Sequence, residues 1–464
     1  MEHSLSHVFA AQQERQHALR MTNAKERIAK LRRLKQAIAQ YEDRLFEALQ
    51  EDLRKNKQEA ALTEVYFIYS EIDHAINKLE SWMAKKRKAF TLTSFLSSNW
   101  IQYEPLGNAL IIAPWNYPFQ LSMSPLVSAI AAGCTAILKP SEYSPRTAAM
   151  MQRLIRETFP KEEVDCFLGE KEVAIELLKL PFHKIFFTGS PEVGKQVMKA
   201  GAEHLANITL ELGGKSPVVI GPDADIYEAA TKIAWGKLIN AGQTCIAPDY
   251  LYLPEDAIFA FCQAYQAAIN RMFAQADIMY PERYAKIINS RHKNRLEALL
   301  LDAQQRNAII LWEGKVNEED SLPPSLIAGL SPDSKLMQEE IFGPILPIIP
   351  YKNLKEVITH IQAKPKPLAM YIFAKNNKFI NQLTQACSSG SVCINDVLIQ
   401  VSNPNLPFGG VNHSGLGSCH GFYGFKAFSH ERAMMKQTRF SLSTLIYPPY
   451  QGKDRLFNLL KRWM

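Results

Sequence analysis

A chain of 464 residues with 47% apolar side chains exceeds what one hydrophobic core usually serves, so two or three folded units are expected. Its formal charge of +7, from 53 basic against 46 acidic residues, is a small excess without a basic stripe, which argues against a nucleic-acid partner. Seven cysteines form neither a CxxC pair nor a dense framework and fit reduced thiols in the cytoplasm. The first residues lack the basic start and apolar run of a secretory signal, and no apolar stretch reaches membrane-spanning length.

From about Ala24 to Leu79 the sequence reads as helix, with Leu31, Leu34, Ile38, Tyr41, Leu45 and Leu49 recurring at three- and four-residue steps. The run Lys85-Lys86-Arg87-Lys88 reads as a solvated helix end or linker rather than a binding site, and Thr91 to Ser98 as a crossing segment. Short apolar runs then alternate with helical stretches at Ala109–Ala113, Ala136–Leu138, Lys184–Phe187 and Ile208–Leu210. A second set of strand candidates covers 217–220, 250–253, 308–311, 345–349, 370–373 and 392–394. Such alternation predicts an α/β chain of βαβ units on parallel sheets.

One cysteine stands apart from the others. Cys134, Cys166 and Cys393 sit among apolar neighbours and read as core. Cys245 follows Gly242-Gln243-Thr244 after the helical stretch Ile226–Ile239, so its thiol can face a cavity, where a base or nearby amides would support a thiolate. It lies 34 residues after Glu211, in Leu210-Glu211-Leu212-Gly213-Gly214-Lys215. The flanks of Glu211 suggest a strand end opening into a turn, a partly desolvated setting that raises a carboxyl pKa.

These two segments accompany Pro114-Trp115-Asn116-Tyr117-Pro118, Phe187-Thr188-Gly189-Ser190, Glu339-Glu340-Ile341-Phe342-Gly343-Pro344 and Pro407-Phe408-Gly409-Gly410. In this order and spacing the chain resembles the aldehyde dehydrogenase superfamily over about residues 20–440. The form Ala247-Pro248-Asp249-Tyr250 and the ending Ser429-His430-Glu431-Arg432 resemble its class 3 or fatty-aldehyde branch. The resemblance implies a Rossmann-like NAD(P)-binding domain (1–82 and 104–209), a second α/β catalytic domain (210–395), a small β oligomerisation arm (83–103 and 396–440) and a C-terminal tail (441–464). It further implies a homodimer.

By the same resemblance Cys245 is the nucleophile and Glu211 the base that activates the hydrolytic water. The side-chain amide of Asn116 and the backbone N–H of Cys245 would receive the oxyanion formed on attack. Gly189, Ser190, Val193 and Gly194 follow an apolar strand and open a helix, an arrangement that presents amides to a phosphate, although it is not the GxGxxG fingerprint. Ser190 and Glu192 depart from the Asn and the small residue of many class 3 relatives. Lys139 and Glu142 match the positions that hold the adenosine ribose, where a carboxylate favours NAD over NADP; class 3 relatives with this glutamate often accept NADP too. Glu340 matches the residue on the nicotinamide ribose, Phe342 packs at that end, and Trp115 joins the cofactor residues.

No histidine spacing suits a metal. Tyr66, Trp115, Tyr117 and Trp235 lie near the motifs and, with the family analogy, point to apolar aliphatic or aromatic aldehydes. In the tail, Leu456, Leu459, Leu460 and Trp463 fall on one helical face beside basic residues, a pattern that could touch an anionic membrane surface or pack on a partner subunit or the active-site mouth. A thiol esterase would leave Lys139, the Gly189 turn and Glu340 without purpose, and the complete set of catalytic residues argues against a fold kept without turnover.

Overall fold

Local signals in the first quarter of the chain set where its helices start and stop. The computed structural model describes residues 4–91, 94–439 and 447–463. Helices α1 (Leu5–Arg20) and α2 (Ala24–Leu53) come first, α2 opening on a capping box between Asn23 and Glu26. At Arg54 the backbone turns left-handed (φ 55°) and α2 stops. Asn56 then caps α3 (Lys57–Ala60), a π-helical turn covers Ala61–Val65, and α4 runs over Tyr66–Met83. The stretch from about Ala24 to Leu79 that reads as helix is thus helical in two main pieces with a break at residues 54–56. Its pattern continues across the break because both pieces pack on one core.

The basic run is a strand rather than a helix end. β1 (Lys86–Lys88) pairs antiparallel with β2 (Ser98–Pro105), and its side chains stay largely solvated. Next come β3 (Asn108–Ile112), α5 (Pro118–Ala132), β4 (Thr135–Lys139), α6 (Pro145–Thr158), β5 (Val164–Cys166), α7 (Lys171–Leu178), β6 (Lys184–Gly189), α8 (Pro191–Ala202) and β7 (Asn207–Leu212). A second series holds β8 (Pro217–Ile220), α9 (Ile226–Leu238), β9 (Tyr250–Pro254), α10 (Ile258–Met272), the short β10 (Ala274–Gln275) and β11 (Ile278–Met279), and α11 (Ser290–Gln305). β12 (Ile309–Glu313), β13 (Ser325–Ala328), β14 (Ile345–Tyr351), β15 (Ala369–Phe373), β16 (Ser391–Ile394), β17 (Gly415–Leu416) and β18 (Ser429–Lys436) complete the strands among the described residues.

Three main sheets result. β17-β7-β6-β3-β4-β5 form a six-stranded sheet, parallel except where β17 meets β7. β12-β13-β14-β9-β8-β15-β16 form a seven-stranded sheet, parallel except between β12 and β13. β1-β2-β18 form a small antiparallel sheet. Strands such as Val218-Val219-Ile220 are buried along their whole length because helices cover both faces. β5 and β13 have no counterpart among the expected strands: Val164-Asp165-Cys166 carries a charge at its centre, and Ser325–Ala328 is too short to show a period.

A ten-residue helix, Asp454–Trp463, lies in the tail. The side chains of Leu456, Leu459, Leu460 and Trp463, on which the amphipathic reading rests, fall outside the described residues. No helix among the described residues is long and apolar enough to cross a membrane.

Candidate active site

The candidate site lies where Gly213-Gly214-Lys215-Ser216 carry the chain from the six-stranded sheet to the seven-stranded one. Glu211 is on β7, flanked in register by Thr188 of β6 and Gly415 of β17. It is almost fully buried, and neither carboxylate oxygen meets an N–H or O–H donor. Burial raises its carboxyl to about 8, with the Cys419 thiol beside it working weakly the other way. The turn after Leu210-Glu211-Leu212 thus gives the desolvation expected from its flanks. Cys419 lies in no motif that marks it in the sequence.

Cys245 follows a distorted turn. After α9, Asn240 and Ala241 both have φ 51°, and Gly242 has φ 75°. A Cβ on Gly242 would lie 2.4 Å from the carbonyl oxygen of Gly343, so only glycine lets this turn approach the Phe342-Gly343 segment. Hydrogen bonds hold the turn in shape. Gln243 Nε2 donates to the carbonyls of Asn240 and Lys286, both at 3.0 Å, and Gln243 Oε1 accepts from Ile288 N–H. Tyr371 OH donates to Ile246 O at 2.7 Å, and the Tyr117 and Thr244 hydroxyls meet at 2.7 Å. The thiol is partly buried. Desolvation, then the carboxylates of Glu340 and Glu211, push its pKa up, so in this setting the sulfur is protonated and its proton must leave as it reacts.

Asn116 is buried just before α5, and its Nδ2 donates to Gln243 O at 2.9 Å. An amide has two N–H groups, so one bond to Gln243 leaves a second donor next to the Cys245 turn. Asn116, Glu211 and Cys245, distant in sequence, therefore converge. Tyr117 is buried with its hydroxyl tied to Thr244, a framework residue rather than a substrate wall, whereas Tyr66 stays exposed.

Glu340 sits over Gly213. Desolvation, then the charge of Asp249, raises its carboxyl to about 8. Phe342, at φ 54°, meets the Trp115 ring edge-on at 5.5 Å. Charged groups fix this turn. Ile341 N–H donates to Asp249 Oδ2 (2.9 Å), Arg295 donates to the carbonyls of Glu340 and Ile341, and Lys215 donates to Asp249 and to the carbonyls of Leu336 (2.7 Å) and Glu339 (2.8 Å). His292 packs 5.0 Å from Trp115, and burial with Arg295 and Arg291 lowers it to about 4, so it stays neutral. None of Arg295, His292 and Asp249 was expected as part of the site. Asp249 lies in Ala247-Pro248-Asp249-Tyr250, which assigns it no role, and the other two lie on α11, outside every motif.

Lys139 is buried at the end of β4, donating to Pro140 O (2.8 Å) and lying 3.4 Å from the half-exposed Glu142. Ser190 caps α8 by accepting from Val193 N–H, and Val193 faces solvent. Thr188, one residue before this turn, has a buried hydroxyl without a partner. The proposed cofactor residues thus comprise a buried cation with a third N–H to give, a partly exposed carboxylate beside it, a helix start, an orphaned hydroxyl at Thr188 and an aromatic corner at Trp115 and Phe342. That donor and acceptor set fits a dinucleotide.

The model of the aldehyde dehydrogenase family matches residues 2–434. The chain is 43% identical over 425 residues to the 4,4'-diaponeurosporen-aldehyde dehydrogenase of Staphylococcus aureus, spanning 91% of this chain and 92% of that one. It is 41% identical over 426 residues to aldehyde dehydrogenase family 3 member A2 of Mus musculus, spanning 91% and 87%. Among solved structures, a substrate-bound state of Staphylococcus aureus AldH superposes with a TM-score of 0.94 at 39% identity, over 99% of each chain. The chain thus belongs to the aldehyde dehydrogenase family, NAD(P)-dependent oxidoreductases that convert aldehydes to carboxylates.

Proposed function

We propose that Cys245 is the nucleophile, Asn116 and the Cys245 N–H the oxyanion donors, and Glu211 the base, in the oxidation of medium- to long-chain aliphatic or aromatic aldehydes. The observation that carries this reading is the buried Glu211 carboxylate, without an N–H or O–H partner and raised to about 8, close enough to the Cys245 thiol to raise it too. A base of that pKa can take a proton near neutral pH and return it.

Cys245 Sγ bonds to the aldehyde carbon as its proton passes to the Glu211 carboxylate, which hands it on to solvent before the hydrolytic step, and the carbonyl oxygen becomes an alkoxide received by the free N–H of Asn116 and the N–H of Cys245. When bound, the nicotinamide supplies the acceptor for the hydride on that carbon. A thioester on Cys245 then remains. Glu211 removes a proton from water, the hydroxide adds to the thioester carbon, and the C–S bond breaks to give the carboxylic acid and the free thiol. Lys139 and Glu142 would hold the adenosine ribose, Gly189, Ser190, Val193 and Gly194 the diphosphate and adenine side, and Glu340, Phe342 and Trp115 the nicotinamide end.

The substrate reading is supported by apolar side chains left exposed on the elements that carry the site's framework. These are Leu62 and Tyr66 from the π-turn and α4, and Ile399 and Leu406 from the segment after β16. Val397 of that segment packs against Gly236 of α9, beside Trp235. The homodimer reading, with the β1-β2-β18 sheet as its contact, is supported by the exposed strand β18 and the solvated β1. A cytoplasmic location is supported by the free cysteines. The test is reduced-nicotinamide absorbance with NAD or NADP and an aldehyde series from acetaldehyde to decanal and benzaldehyde, run beside Cys245→Ser. Turnover rising with chain length and lost in the variant is expected; reduction that survives the substitution sinks the covalent reading.

A further inference from the structure

The roles proposed above leave unexplained a fully buried cation, Lys55, in the break between α2 and α3. Its Nζ donates to Glu64 Oε1 (2.6 Å) and to the carbonyl oxygen of Asn116 (2.9 Å), and lies 3.8 Å from the centre of the Tyr117 ring. The π-helical turn carries Glu64 inward, where Oε2 accepts from Phe119 N–H (3.1 Å) and Gln120 N–H (2.8 Å) in the first turn of α5. A second acid, Glu59, accepts from Asn240 N–H at 2.9 Å. The side chain of Asn240 closes the circuit, donating to Asn116 O (2.8 Å) and Gln243 O (3.1 Å).

Burying an ion pair costs desolvation, and apolar residues of similar volume often serve stability as well or better. What this pair and its neighbour do that apolar residues could not is join two segments by name. Glu64 holds the start of α5, Glu59 holds the left-handed turn before Cys245, and Lys55 binds the backbone oxygen of Asn116 itself. Both proposed oxyanion donors, the Asn116 amide and the Cys245 N–H, ride on those segments.

We propose that Lys55, Glu64 and Glu59 are positioning residues that set the distance between the Asn116 amide and the Cys245 N–H, so that both reach one oxygen. None of the three touches the substrate. The proposal rests on the reading of Asn116 and Cys245 as oxyanion donors.

The test is a double-mutant cycle on the full-length enzyme. Lys55→Met with Glu64→Gln removes both charges yet keeps an acceptor for the α5 amides. It is expected to melt within a few degrees of the parent and to leave KM for aldehyde and for NAD near their parental values, while kcat falls about 10- to 100-fold. Asn116→Ala alone should lower kcat about 100- to 1,000-fold, and adding the Lys55 and Glu64 changes to it should cost little more. A purely structural role would raise KM or lower the melting temperature, and would cost the same factor in both backgrounds. That additive result, or a folded double variant with parental kcat, overturns the proposal. Undiminished kcat in Asn116→Ala overturns the oxyanion reading instead, and the proposal with it. Should the double variant fail to fold, Lys55→Arg keeps the charge but cannot offer one ammonium to both acceptors; reduced kcat at a parental melting temperature supports the proposal, and parental kcat overturns it.

Discussion

The carboxylate of Glu340 lies against the α-carbon of Gly213, so closely that a Cβ at that position would fall 2.2 Å from Oε2 and 2.6 Å from Oε1. Gly213 is two residues from Glu211, and both Glu340 and Glu211 act on the Cys245 thiol. Gly213→Ala must push Glu340 away from its seat. The expected result is a rise in KM for NAD of about 10-fold or more with the fold intact, read by steady-state kinetics and a melting curve. An unchanged KM would show that Glu340 does not depend on that seat.

The raised carboxyl of Glu211 sets a pH dependence for turnover. As a base it must be deprotonated, so kcat should climb with pH and level off above about 8. In Glu211→Gln that limb should vanish and thioester hydrolysis should slow by about 100- to 10,000-fold. Stopped-flow traces would then show a burst of reduced nicotinamide followed by almost no steady state. A profile unchanged by the substitution rules Glu211 out as the base.

The same carboxyl makes a statement about stability. Its ordinary value is 4.5 and its folded value about 8, so between these limits the folded protein keeps a proton the unfolded chain has released. Stability contributed by that proton is complete below 4.5 and is lost as pH rises through 8. Glu211→Gln, which cannot ionise, should therefore stabilise the protein at pH 9 by about 1–3 kcal/mol and lose that advantage on acidification. Urea melts at the two pH values test the sign.

Cofactor choice should respond to Glu142. Its carboxylate is half-exposed and only loosely paired with Lys139, so it is free to repel a 2′-phosphate. Glu142→Gln is expected to lower KM for NADP by about 10-fold, the scale of one unit-charge interaction near a surface, with a smaller change for NAD. Equal shifts for both cofactors would place the 2′-position elsewhere.

The parts of the fold and of the proposed site that a short, particular neighbourhood marks can be read in the sequence. Cys245 was marked by the small and polar residues before it, Glu211 by apolar flanks ending in two glycines, and the main parallel strands by unbroken apolar runs. Lys55, Glu59 and Glu64 were not, because a buried charge looks like a surface one until its partners are known. Glu64 falls at a regular helical position and turns inward only through the π-helical turn. β17 was equally hidden. Gly415-Leu416 has no strand pattern, and it pairs because Leu212 N–H needs an acceptor, which Ser414 O provides at 3.0 Å.

That two-residue strand bears on how the chain is made. The six-stranded sheet draws five strands from residues before Ile220, but its last edge is supplied by Gly415, bonded beside Glu211. During synthesis the first five strands leave the ribosome roughly 200 residues before their final neighbour does, with the edge of β7 and its acid unprotected in the meantime. The nascent sheet thus passes through a stage in which β7 is an open strand edge, available to other chains, and its closure belongs to the end of translation rather than the beginning.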